Sequence, residues 1–214
     1  MKLIDINDFK SHFKDGMSIM VGGFMAVGTS EPLIDALVES NVKDLTIICN
    51  DAGFPDKGVG KLIENKQVKK LLASHIGLNP TAGKMMASGE LETVLIPQGT
   101  LIEQIRAGGA GLGGVLTTTG IGTIVEETKQ KIEIDGVEFL VEKPLKADVA
   151  IIRGSKVDKY GNVIYNATTR NFNPMMAMAC EKVFVWPEQL VDELDPNHII
   201  TPHIFVDYIV KEDE

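Results

Sequence analysis

Apolar residues recur along the chain in two alternating rhythms. Ile6, Phe9 and Phe13 are spaced three and four apart, the stripe of an amphipathic helix, and Asp15-Gly16 reads as its end. The apolar run Ser18–Val21 predicts a short buried strand, followed by the glycine-rich segment Gly22-Gly23-Phe24-Met25-Ala26-Val27-Gly28. Thr29 and Ser30 are residue types that cap helix N-termini, and Pro32 suits a first helical turn. Leu33, Ile34, Leu37 and Val38 continue at helical spacing. The opening therefore reads helix, strand, glycine-rich loop, helix.

The rhythm repeats. Leu45–Cys49, Val68–Ala73 and Thr93–Ile96 predict strands, each followed by a loop bearing Gly, Asn or Pro and then a helix-sized stretch. Strands alternating with helices predict an α/β fold, an open and mainly parallel sheet with helices on both faces. In such sheets ligands gather outside the carboxyl ends of the strands. That places Gly22–Gly28, Asn50-Asp51, Ser74-His75 and Pro97-Gln98-Gly99 on one rim. The middle of the chain changes period: Ile132 to Leu140 alternates apolar and polar around Asp135-Gly136, a hairpin signal. Tyr160-Gly161-Asn162 reads as a second turn between short strands, and Val149–Ile152 and Val183–Val185 resume the buried-strand pattern. With no linker, low-complexity segment or repeat, residues 1–214 read as one domain with a β-hairpin excursion.

Composition narrows the class. A chain of 214 residues buries roughly 70% of its unfolded surface, so it needs no disulfide staples. The net charge of −9 and the lack of a basic stripe argue against nucleic acid as a partner. The densest basic stretch, Lys57, Lys61, Lys66, Lys69 and Lys70, is broken by Asp56 and Glu64; it reads as solvated surface with a minor option of contacting a nucleotide's phosphates. Cys49 and Cys180 sit in apolar runs without metal-ligand spacing and read as reduced core thiols. The N-terminal stretch lacks a signal peptide's apolar core, and Met17–Gly28 is too short and glycine-broken to span a bilayer. The expectation is a cytoplasmic protein that engages no membrane.

Few residues offer chemistry of their own. The segment Gly22–Gly28, between a strand and a helix, could bring backbone N–H groups to a phosphate, or could simply be a tight crossover; it matches neither dinucleotide nor P-loop motifs. The four histidines, His12, His75, His198 and His203, show no metal spacing, and only His75 falls on the rim. Glu126 and Glu127 read as solvated, and no G-x-S-x-G elbow or supported Cys/His pair occurs. The glycine-rich stretch Gly108 to Gly114 has apolar flanks, which favours a close packing or docking surface over a flexible linker.

Five stretches in order carry a resemblance across the whole chain: Asp15 to Gly28, Asn50 to Gly53, Ser74 to Gly77, Pro97 to Gly114, and Thr169 to Pro174. Together they resemble the alpha subunits of family I CoA-transferases, in particular those acting on acetate and on butyrate and acetoacetate. Two positions depart from the family's pattern: Ser30 stands where proline is usual, and Thr117-Thr118-Thr119-Gly120 replaces Thr-Pro-Thr-Gly. The resemblance implies a CoA-transferase-like fold and a double displacement through a glutamyl-CoA thioester. The family's nucleophilic glutamate lies in a Ser-Glu-Asn-Gly segment, which this chain lacks. It therefore implies a beta subunit that supplies the glutamate, in a hetero-oligomer of α2β2 or larger. By the same resemblance Gly22, Gly23, Phe24, Met25, Ala26, Val27 and Gly28 contact CoA, Gln98 stabilises the oxyanion, and Asn50 holds substrate. Acyl-CoA and small carboxylic acids are then substrates, with no tightly bound cofactor and no metal. Rival readings are a transferase for another acid such as 3-oxoadipate or glutaconate, a non-catalytic binding protein, and a sugar-phosphate isomerase of similar architecture.

Overall fold

Alternate residues of each central strand enter different cores, which is why helices cover both faces of the sheet. The computed structural model describes residues 2–212. In its first half, strands and helices strictly alternate: β1 (Lys2–Asp5), α1 (Ile6–Lys10), β2 (Ser18–Val21), α2 (Glu31–Glu39), β3 (Leu45–Ile48), α3 (Gly60–Glu64), β4 (Val68–Ala73), α4 (Pro80–Ser88), β5 (Glu92–Leu95) and α5 (Gln98–Gly109). There follow β6 (Val115–Thr117), β7 (Gln130–Ile134), β8 (Val137–Glu142), β9 (Ala147–Asp158), β10 (Val163–Ile164), α6 (Asn173–Met178), β11 (Cys180–Val191) and β12 (Tyr208–Lys211).

The main sheet has the order β1-β12-β11-β9-β2-β3-β4-β5, and every neighbouring pair in it is parallel. The two halves of the chain meet at its centre, where Ile19 of β2 lies opposite Val149 of β9. Ile19, Val21, Ile47, Val149, Ile151 and Phe184 point to the core under α1 to α4; Met20, Ile48, Ala150, Ile152, Val183 and Val185 point to the core under α5 and α6. Helix α2 shows the logic of the helical layer. Leu33, Ile34 and Leu37 share one face and are fully buried, each worth roughly 1.5–3 kcal/mol of apolar burial. Among the described residues, no helix is long and apolar enough to cross a membrane.

The expected hairpin is present and larger than read. Asp135 (φ 51°) and Gly136 (φ 77°) make the two-residue turn between β7 and β8, and β6 pairs with β8 to complete a small antiparallel sheet. Three local expectations are corrected. Helix α1 stops at Lys10, capped by Ser11, although Phe13 is still buried in the following turn, edge-on to Phe9 at 4.7 Å. Phe9 meets Phe184 at 5.1 Å, so an aromatic cluster fills that end of the core where a longer helix would have done so. Second, β9 and β11 each run for 12 residues, far beyond the apolar tetrad and triad read from sequence. Gly154, Lys156 and Pro187 interrupt those patterns, yet the strands stay paired from Cys180↔Ala147 to Val191↔Asp158. Third, the turn at Tyr160 to Asn162 joins this long β9 to β10, held by the buried Asp158, whose Oδ1 accepts from the N–H groups of Tyr160, Gly161 and Asn162.

Candidate functional site

The strand-end loops converge at the carboxyl ends of β2 to β5. After β2, Gly22 N–H still donates to Ile151 at 3.0 Å, and the chain then folds back on itself. Phe24 and Val27 exchange N–H to carbonyl hydrogen bonds at 3.0 and 2.9 Å, closing a two-residue turn with Met25 (φ 49°) and Ala26 (φ 62°) at its corners. Left-handed backbone costs non-glycine residues roughly 1–2 kcal/mol each. Surrounding bonds must hold such a turn, and they do. Thr29 Oγ1 donates to the Gly22 carbonyl at 2.9 Å, and Met25 N–H donates to Asp51 Oδ2 at 2.8 Å. The segment is thus a folded turn that presents the exposed side chains of Phe24, Met25 and Val27, not an open cradle of amides.

Asp51 is the hub of the rim. It is 5% exposed, and its carboxylate accepts from Met25 N–H, from Asn50 Nδ2 at 2.7 Å, and from Gly53 N–H at 2.9 Å. Asn50, fully buried, turns its Oδ1 to Gln98 Nε2 at 2.7 Å. Ser74, at the end of β4, donates from its hydroxyl to the Asn50 carbonyl at 2.7 Å and lies 3.2 Å from His75 Nδ1. Gln98 opens α5 immediately after Pro97 and is exposed. Its side chain does not cap the helix, the bland role open to it from sequence, but reaches across to β3. The rim residues expected to cluster therefore do so, joined in one continuous hydrogen-bonded path from the β2 loop to Gln98.

A second wall comes from the far end of the chain. Asn171 Nδ2 donates to the Val27 carbonyl at 2.9 Å, and Asn173 Nδ2 donates to the Gly28 carbonyl at 3.0 Å and to Thr169 at 2.9 Å. Glycine is required at the joint: a Cβ on Gly22 would fall 1.8 Å from Asn173 Oδ1, and one on Gly28 (φ 81°) 2.9 Å from the Thr169 carbonyl. In the sequence this segment is one stretch of a pattern, and Asp51 and Ser74 are rim positions without a role of their own. No spacing rule links residue 173 to residue 22, so Asn171 and Asn173 carry no signal before the fold brings them there.

Next to the loop, a second tight turn, Phe54 to Lys57, borders a groove of about 470 Å³ with Met25, Val27, Glu31 and Lys61. Lys61 is bound to Glu31 at 2.8 Å and Asp35 at 2.7 Å. Lys66 pairs with Glu90 and Lys70 with Glu92, whereas Lys57 has no carboxylate partner among the described residues and lines the groove. Burial, followed by the charge of Asp51, pushes the Cys49 thiol well above its ordinary pKa, and burial pushes the half-buried Cys180 up to about 12. Neither is an activated nucleophile. Glu126 accepts from Gly122 N–H and pairs with Lys131, which lower its pKa in that order and tie down its own loop. In the glycine-rich stretch, Gly108, Gly109 and Gly114 make close contacts within the chain, against Leu145, Met178 and Glu142. Leu112 and Leu116 remain exposed there.

Residues 5–212 match the family model described as Coenzyme A transferase. The chain is 54% identical to acetate CoA-transferase subunit alpha of Escherichia coli K12, over 100% of this chain and 98% of that one. It is 56% identical to the acetoacetyl-CoA:acetate/butyrate CoA transferase alpha subunit of Clostridium acetobutylicum, over 99% of this chain and 98% of that one. Among solved structures, an acyl-CoA transferase from E. coli O157:H7, in a thioester complex with CoA, superposes with a TM-score of 0.86 at 22% identity. That superposition covers 99% of this chain and 47% of the other, so the chain spans about half the length of that enzyme.

Proposed function

The chain belongs to the coenzyme A transferase family, and from that membership we infer that it is the alpha subunit of a two-subunit enzyme moving CoA between short acyl-CoA thioesters and carboxylic acids. Acetate, butyrate and acetoacetate are the acids favoured, from the relatives to which the chain is similar along its whole length. The 214 residues act as one domain and pair with a beta subunit, as α2β2 or a larger assembly, in the cytoplasm. CoA is a substrate, and no tightly bound cofactor is required.

The chemistry needs a carboxylate nucleophile, an oxyanion donor and a place for CoA. A glutamate of the beta subunit attacks the thioester carbonyl, the C–S bond breaks, and an acyl-glutamyl anhydride and CoA thiolate result. The thiolate then attacks the glutamyl carbonyl, releasing the first acid and leaving a glutamyl-CoA thioester; the second acid takes CoA by the reverse steps. Each attack puts negative charge on a carbonyl oxygen. The observation that carries the reading is the placement of Gln98. One Nε2 hydrogen is fixed on Asn50, and the second is free to meet that oxygen. Asn50 serves substrate through Gln98. The turn Gly22–Gly28 offers apolar contact from Phe24, Met25 and Val27, with Lys57 nearby to take a phosphate.

Acyl transfer from acetyl-CoA to butyrate, run with the chain alone and with a co-expressed beta subunit, tests the assignment. Activity is expected only from the pair, and activity from the chain alone would refute the split site. In the pair, Q98A should lower kcat by about 10²–10³ with little change in KM. A wild-type kcat would remove Gln98 from the chemistry.

A further inference from the structure

We propose that Asp51 is a positioning residue for the transfer reaction: it sets which way the Gln98 amide faces and ties that orientation to the turn at Met25. The proposal rests on the reading of Gln98 as the oxyanion donor and adds the origin of its polarity. A carboxylate accepts hydrogen bonds and does not donate them, and a backbone N–H only donates. Asp51 Oδ2 already accepts from Met25 N–H at 2.8 Å, so the Asn50 atom 2.7 Å from the same oxygen must be the side-chain nitrogen. The Asn50 amide has one nitrogen and one oxygen, and its oxygen therefore faces Gln98. Against an oxygen at 2.7 Å, Gln98 in turn must present its nitrogen.

The hydrogen-bonded path thus has a single sense, fixed at its buried end. Asn50 is fully buried and Asp51 nearly so, and direct contacts with the surrounding groups fill their polar needs. Were the path inverted, Gln98 would turn its carbonyl oxygen toward a developing negative charge, and an oxyanion donor would become a source of repulsion. The same carboxylate oxygen also holds the left-handed turn at Met25 and Ala26. Loop geometry and amide orientation are therefore set by one group.

The test uses the enzyme reconstituted with its beta subunit and the variants D51A, D51N, Q98A and D51A/Q98A. D51A removes the polarity and should lower kcat by about 10- to 100-fold with a smaller change in the KM for acetate or butyrate. Because Asp51 acts through Gln98, the double variant should be no slower than Q98A alone. D51N should keep most of kcat, since its side-chain oxygen can still accept from Met25 and Asn50; it loses only the bond to Gly53, which lowers the melting temperature. If D51A does not assemble, D51S takes its place under the same criterion. Multiplicative losses for D51A and Q98A, or a D51N as slow as D51A, overturn the proposal. A wild-type rate for Q98A alone would instead overturn the oxyanion role on which it rests.

Discussion

Alanine at position 22 would break the joint between the β2 loop and the segment before α6. Gly22 does not have left-handed backbone, so the obstacle is space alone. Its new Cβ would lie 1.8 Å from Asn173 Oδ1 and 2.5 Å from Asn173 Cγ, well inside contact distance. Asn173 is fully buried and cannot swing into solvent without giving up its three shortest bonds, those to Arg153 N–H at 3.2 Å, to Gly28 at 3.0 Å and to Thr169 at 2.9 Å, beside a longer one to Asn171. At about 1 kcal/mol for each bond, with partners left buried and unsatisfied, the loss is about 3 kcal/mol. For a chain of this size that corresponds to a melting temperature lower by about 6–12 °C. The assay is the thermal midpoint of the purified pair, beside the KM for acetyl-CoA, which should rise because the loop is displaced. The change N173A removes the obstacle, so G22A/N173A should melt close to N173A alone. A G22A protein melting within about 2 °C of wild type would refute the steric argument.

Further outcomes follow from the cysteines and from the small sheet. With Cys180 at about 12 and Cys49 well above the ordinary value of 9.0, both stay protonated at pH 8, so the native protein should react slowly with a disulfide reagent and release two equivalents once denatured. The unfolded thiols ionise near pH 9.0 while the folded ones hold their protons, so stability should be unaffected below that pH and fall as pH rises from there toward 12; urea unfolding at pH 8 and 10 checks the sign. Lys129 meets the carboxylate of Glu142, which is 1% exposed and otherwise held by Gln104 Nε2 at 2.9 Å. K129M strands that charge and should cost about 3 kcal/mol in urea unfolding, most of it recovered in K129M/E142Q.

The layered architecture was legible because it depends on local rhythm. The alternation of Ile19, Met20 and Val21 between two cores is written in the apolar run itself, and so is the turn at Asp135-Gly136. Convergence of residues 22–28, 50, 74 and 98 followed from a general property of parallel sheets, applied to strands correctly found. What escaped depended on partners far away in the chain. Helix α1 is shorter than its stripe because Phe13 is satisfied by Phe9 and Phe184. Strands β1, β10 and β12 are short, and only pairing with β9, β11 and each other defines them. In the site, Asn50 and Asp51 both fall on the rim read from the sequence, but only Asn50 carries an expected role. An aspartate beside a strand end has no pattern of its own until the N–H groups of residues 25 and 53 arrive around it.

The edge strand β1 has β12 as its sheet neighbour, with Leu3 opposite Ile209. On the ribosome β1 emerges before β12, so it waits for the strand that seats it while everything from α1 to β11 is made. Closing so long a loop adds little free energy, since the cost grows only with the logarithm of length. The delay is one of time. Until Tyr208 to Lys211 is made, β11 also shows the edge that Phe184 and Val185 later cover by pairing with Tyr208 and Ile209. A truncated chain would thus carry two unpaired backbones, one on each side of a gap, open to proteases and to mispairing. Seating of β12 closes both at once, so emergence of that strand is the condition for a finished sheet.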